Sequence, residues 1–83
     1  MQEKRKSMKE KIKKELRWIR KRIKLSIGDI KADLEDLEKA VSKGKIDDAM
    51  FPAMNIKDEA ELILELRAIW CKLKELLKDE EKD

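Results

Sequence analysis

The sequence predicts an all-α protein, a long helical hairpin or antiparallel coiled coil that dimerises into a helical bundle. Charged residues make up 49% of the chain, against about 25% in an ordinary domain, and aromatic residues only 4%. The apolar residues, 41% of the chain, recur at helical spacing. At 83 residues the chain forms one domain whose own core is marginal, so a partner or a second copy is expected.

A first long helix is predicted over residues 5–43, because apolar residues follow one another at intervals of three or four. This apolar stripe consists of Met8, Ile12, Leu16, Ile19, Ile23, Ile27, Ile30, Leu34, Leu37 and Val41. A Ser-Lys-Gly sequence ending at Gly44 predicts the end of the helix, since a left-handed glycine closes many helices. We divide the chain up to this point into a basic segment, 1–25, and a heptad continuation, 26–43.

Residues 26–29 leave the continuity of this helix open. Ser26 lies three residues before Asp29, as in a capping box, and Gly28 costs about 1 kcal/mol inside a helix. The apolar stripe nevertheless passes this point without losing phase, which favours a continuous or kinked helix. The alternative is a three-helix bundle with a break near Gly28.

A second helix is predicted over residues 56–79, followed by a tail at 80–83. Asn55 and Asp58 have the spacing of a helix N-cap with an acid in the first turn. The wide apolar face of this helix places Trp70 in the core. Its members are Leu62, Ile63, Leu66, Ile69, Trp70, Leu73, Leu76 and Leu77.

The connection over residues 44–55 is unusually apolar for a loop. We expect one helical turn in it at most, stopped by Pro52. Met50 and Phe51 predict that this segment folds over the open end of the hairpin as a plug. The alternative is an exposed docking tip, and the exposure of Phe51 separates the two.

The two predicted helices differ in length. Residues 5–43 span roughly 58 Å and residues 56–79 about 36 Å, at 1.5 Å per residue. The longer helix would therefore leave Met8, Ile12 and Leu16 uncovered. This overhang predicts a homodimer that covers them.

Composition argues against catalysis. Without His, a general base would have to be a strongly perturbed Asp, Glu or Lys, so we expect no enzyme. No Glu-x-x-His motif accompanies the carboxylates, and we expect no metal, no cofactor and no small-molecule substrate.

Cys71 alone cannot form an internal disulfide, and no apolar run approaches the roughly 20 residues that span a bilayer. A cytoplasmic location is expected.

Charge is divided unevenly along the chain. Residues 1–25 hold twelve Lys and Arg against three Glu, a net of +9, while residues 26–83 hold ten against sixteen acids, a net of −6. Basic side chains at helical spacing predict a ridge that binds the phosphates of DNA or RNA. The predicted nucleic-acid-binding residues are Lys6, Lys9, Lys13, Lys14, Arg17, Arg20, Lys21, Arg22 and Lys24.

A basic helix that runs into an apolar heptad is similar in organisation to the basic leucine zippers. The chain lacks that family's base-contacting Asn and Ala pattern and adds a second helix. Membership is therefore not implied, and recognition of the phosphate backbone is expected rather than base reading.

Two other readings of the same residues stay open. The basic ridge can be a solvated face that neutralises the acidic second half of the chain. A less favoured alternative is that the ridge attaches the protein to an anionic membrane surface. The alternative function is an adaptor or inhibitor, for example one encoded by a mobile element or virus, that binds a larger protein. Its predicted interface residues are Met8, Ile12, Leu16, Trp18, Met50 and Phe51.

Overall fold

The computed structural model describes residues 2–82, with side chains described for residues 8–80. Helix α1 spans Gln2–Ser42, a short 3-10 helix spans Ile46–Ala49, and helix α2 spans Met50–Lys82. The two long helices lie side by side as a hairpin, with Cα extents of 64 × 15 × 13 Å. The predicted all-α class and helical hairpin are confirmed.

The predicted glycine closure of α1 is confirmed. Gly44 has a φ of 72°, and its N–H donates to the carbonyl of Val41 at 3.0 Å. The N–H of Lys45 reaches back to the carbonyl of Ala40 at 2.9 Å. These two bonds satisfy carbonyls that the helix end would otherwise leave without a partner, and the left-handed glycine makes them possible.

Helix α1 is continuous through Gly28, so the three-helix alternative is wrong. Ser26 lies inside α1 and does not start a helix. Its Oγ accepts a hydrogen bond from Nη1 of Arg22, 3.0 Å away in the preceding turn. Apolar residues on both sides of this point pack against α2. Their burial outweighs the cost of one helical glycine, which is about 1 kcal/mol.

The second helix begins earlier than predicted, at Met50 rather than residue 56, and extends to Lys82. Pro52 does not stop it. The first four N–H groups of a helix have no partner within that helix, so a proline in the first turn removes no hydrogen bond. Asn55 accordingly lies inside α2 and does not cap it.

The longer α2 shortens the predicted overhang. Ile12 and Leu16 are only 7% and 8% exposed, whereas Met8, closer to the end of α1, is 55% exposed. The expectation that all three lie uncovered is wrong for Ile12 and Leu16, because α2 contains nine more residues than the predicted 56–79 helix. The homodimer loses this argument and stays a prediction.

The most buried positions of both helices alternate at intervals of four and three, and we call them the seam. In α1 the seam consists of Ile12, Leu16, Ile19, Ile23, Ser26, Ile30, Asp33, Leu37 and Ala40. In α2 it consists of Pro52, Ile56, Glu59, Ile63, Leu66, Trp70, Leu73, Leu77 and Glu80. This spacing keeps one side of each helix against the other along the whole hairpin.

The predicted stripe and the seam part after Ile23. Ile27, Leu34 and Val41, which belong to the predicted stripe, are 42%, 45% and 54% exposed and lie one position beyond the seam. The seam keeps the spacing that begins at Ile12, even though this buries less apolar side chains. Helix α1 therefore has two neighbouring apolar rows near the turn, and α2 covers one of them.

Candidate nucleic-acid interface

A basic groove runs between the two helices on one side of the seam, in the half of the hairpin that holds the chain termini. Its volume is about 570 Å³. Its rim is cationic and its floor is apolar. It is lined by Arg20, Ile23 and Lys24 of α1 and by Arg67, Trp70 and Cys71 of α2.

Trp70 forms the floor of the basic groove. It is half-buried rather than enclosed in the core as predicted, because its seam position borders the groove. Nζ of Lys74 lies 5.9 Å from the centroid of its ring, within the range of a cation–π contact. Cys71, on the rim, is a free and exposed thiol.

The cationic surface extends beyond the groove. Residues seven positions apart share one side of a heptad-spaced helix, so each residue that lines the groove predicts a neighbour on the same side. Together they form the basic face, which comprises Lys13, Arg17, Arg20 and Lys24 of α1 and Arg67, Lys74 and Lys78 of α2. In the half of the hairpin that holds the termini, Glu10 is the one acidic residue among the described side chains spaced by seven from residues of the basic face.

Most of the predicted nucleic-acid-binding residues are available. The exposed ones are Lys13, Lys14, Arg17, Arg20, Lys21 and Lys24. Lys9 and Arg22 are half-buried, and Nη1 of Arg22 donates a hydrogen bond to Oγ of Ser26. Lys6 lies in the first turns of α1, and its side chain is outside the described set.

Sequence reasoning missed the contribution of α2. The net charge of −6 over residues 26–83 concealed Arg67, which lines the groove with Arg20 and Lys24. It also concealed Lys74 and Lys78, which follow on the same side of α2 at intervals of seven from residues that line the groove. A signal for them exists in the sequence. Writing α2 at a period of seven places these three cations on one side and its acids, apart from Glu81, on other sides.

An acidic groove lies on the opposite side of the seam, in the half of the hairpin next to the turn. Its volume is about 400 Å³, and Oε2 of Glu59 is buried there without a hydrogen-bond partner. Among the described residues, no group of three or more metal-ligating side chains has the geometry to hold a metal ion. The groove is lined by Asp29, Ala32, Asp33, Asn55, Asp58 and Glu59.

The predicted protein-interface residues are divided. Ile12 and Leu16 are buried in the seam and cannot contact a partner without unfolding the hairpin. Trp18 and Phe51 are 56% and 67% exposed. The predicted plug is wrong, because the connection continues as the first turns of α2 and directs Phe51 outward.

The comparisons with known proteins identify no relative. No protein-family model matches the chain, and neither a curated protein nor a solved structure matches it. The described residues also contain no helix of the length and apolar character that would cross a membrane. The functional argument therefore depends on the surface itself.

Proposed function

We propose that the protein binds nucleic acid through the basic face. The observation that carries the proposal is the convergence of cations from two helices on one groove, with Arg20, Lys24 and Arg67 on its rim. Neutralising phosphates with such side chains releases condensed counterions, which drives binding. A cytoplasmic location, where a lone cysteine such as Cys71 stays reduced, is part of the proposal.

The shape of the hairpin decides which part of the nucleic acid it contacts. The major groove of B-DNA is about 12 Å wide and admits a single helix. The hairpin measures 15 × 13 Å across at the Cα atoms alone, and its cations are divided between both helices. The basic face therefore binds phosphates along the backbone, independently of base sequence.

The test is fluorescence anisotropy of labelled duplex DNA, single-stranded DNA and RNA, titrated with the protein at about 50 and 200 mM salt. We expect wild-type affinity to fall at least tenfold between these salt concentrations for the preferred nucleic acid. A triple variant of the groove, Arg20→Glu, Lys24→Glu and Arg67→Glu, should lose binding at both.

The matched control reverses three lysines on the other side of the hairpin. Lys11→Glu, Lys39→Glu and Lys72→Glu change the net charge by the same amount, at positions spaced by seven from residues that line the acidic groove. We expect this variant to weaken binding far less than the groove variant. Equal losses would show that binding follows overall charge, and absence of wild-type binding at low salt would refute the proposal.

A second candidate function is an adaptor that docks on a larger protein. The observation that favours it is the apolar surface at the start of α2, where Met50, Phe51 and Met54 are 54%, 67% and 53% exposed. Methionine side chains suit adaptable contacts. Substituting Phe51→Ser should abolish the binding of such a partner without changing affinity for nucleic acid.

A further inference from the structure

The hairpin exposes more surface than its mass requires. Its accessible surface is 7189 Å², whereas a compact monomer of 9.9 kDa exposes about 5,200 Å². The radius of gyration is 18.7 Å, against about 12 Å for a compact domain of this length. The excess of about 2,000 Å² exceeds the roughly 1,600 Å² that a standard stable interface buries.

The exposed surface includes two apolar rows. The basic-side row, Ile27, Leu34 and Val41, continues at intervals of seven from Arg20, which lines the basic groove. It therefore lies on the same side of the hairpin as that groove, towards the turn. Its side chains are 42%, 45% and 54% exposed.

The acidic-side row occupies the opposite side and the opposite end. Leu62, Ile69 and Leu76 continue at intervals of seven from Asn55, which lines the acidic groove. This row therefore extends from that groove towards the chain termini. Ile69 and Leu76 are 49% and 52% exposed, and Leu62 is half-buried.

The two sides of the hairpin are therefore complementary when one copy is reversed. At the positions next to the seam, from the termini to the turn, one side is basic and then apolar, while the other is mainly apolar and then acidic. Reversing a second copy brings its acidic groove over the basic groove of the first and one apolar row over the other. Opposite charges meet, and both apolar rows leave water.

We infer that a second copy of the chain binds in this reversed orientation, with the acidic side of one hairpin against the basic side of the next. The spacing supports the match, because both rows repeat every seven residues and run in the same direction in the reversed pair, so aligning one contact aligns all three. The expected contacts are Ile27 with Leu62, Leu34 with Ile69, and Val41 with Leu76.

This contact joins two different surfaces, so it is heterologous and leaves one free side on each outer copy. Assembly consequently extends beyond two copies at high concentration unless the stack closes on itself. The inference goes beyond nucleic-acid binding and does not depend on it. If both hold, a neighbouring copy and nucleic acid compete for Arg20, Lys24 and Arg67, and self-association masks the basic groove.

The experiment is sedimentation velocity without nucleic acid at about 50 mM salt, where charge pairing is weakly screened. The basic-groove variant is Arg20→Glu, Lys24→Glu and Arg67→Glu, and the acidic-groove variant is Asp29→Lys and Asp58→Lys. Wild type should associate with rising concentration, and each variant alone should stay monomeric. An equimolar mixture should associate again, because the intact acidic groove of the first variant can bind the intact basic groove of the second, and the two reversed grooves also carry opposite charges.

A wild type that stays monomeric at about 100 μM, a variant that associates like wild type, or a mixture that stays monomeric would each overturn the inference. A second pair of variants covers the case in which the multiple charge changes unfold the hairpin. Leu34→Glu and Ile69→Lys, at exposed positions, should each block association alone and restore a dimer when mixed. Circular dichroism confirms that each variant is helical before it is scored.

Discussion

The seam between the helices contains polar residues, while the surfaces beside it expose apolar ones. The seam contains Ser26, which is fully buried, together with the half-buried Asp33 and Glu59. Immediately beside it, Leu34 and Ile69 are close to half exposed. The hairpin contact alone does not account for this distribution. The seam holds the two helices together, and the flanking surfaces carry the charges and apolar rows that are available for recognition.

Truncating one residue in each region should separate their roles most clearly. Ile19→Ala removes a side chain that is 1% exposed, so the free energy of unfolding should fall by about 2–5 kcal/mol. Leu34→Ala, in the basic-side row, should lower it by about 1 kcal/mol or less in dilute solution. Urea denaturation followed by circular dichroism measures both. Equal losses would contradict the distinction between seam and flanking row.

Replacing the carboxylate in the seam should stabilise the hairpin. Oε2 of Glu59 is buried without a hydrogen-bond partner, and such a group costs about 1–3 kcal/mol. We expect Glu59→Leu to raise the free energy of unfolding by about that amount. Glu61→Leu, on the exposed surface two residues away, is the control and should change it by about 0.5 kcal/mol or less. A destabilising Glu59→Leu would assign the carboxylate a structural role.

The smallest effect is expected at the two glycines. A Cβ at Gly28 would meet nothing within 4 Å, and Gly28 lies inside α1, so Gly28→Ala should stabilise the protein by about 0.5–1 kcal/mol. Gly44→Ala also has open space, but the φ of 72° should make it destabilising. If the helix is continuous, thermal unfolding should show a higher Tm for Gly28→Ala and a lower Tm for Gly44→Ala. A break at Gly28 would remove the increase.

The sequence was sufficient for the two helices and for the glycine turn, because periodicity and local capping determine them. It was sufficient for the seam only as far as Ile23. Beyond that point two apolar rows compete, and the identity of side chains favours Ile27 and Leu34 over Ser26 and Asp33. The rotation of α1 against α2 decides which row is buried. In the sequence, only the unbroken spacing of four and three from Ile12 indicated the answer.

The sequence predicted the part of the candidate site that α1 contributes, but not the part that α2 contributes. The cations of α1 are contiguous in sequence, so their spacing revealed Lys13, Arg17 and Arg20 directly. Arg67 and Lys74 lie among the acids of α2, and net charge hides them. Only the pairing of the helices brings Arg67 to the groove that Arg20 and Lys24 line, with Lys74 on the same side of α2. Pro52 misled the reading of α2, because the rule that proline ends a helix does not apply to its first turn.

The claim that both helices form one nucleic-acid-binding face is tested most directly by the salt dependence of binding to duplex DNA. For wild type and for Arg67→Ala with Lys74→Ala, the logarithm of affinity is plotted against the logarithm of salt concentration. Each lost phosphate contact should reduce the slope by about 0.9, so the double variant should lose about 1.8. Lys11→Ala with Lys72→Ala is the control and should keep the wild-type slope. A wild-type slope in the double variant would contradict the account, because α2 would then contribute no phosphate contacts.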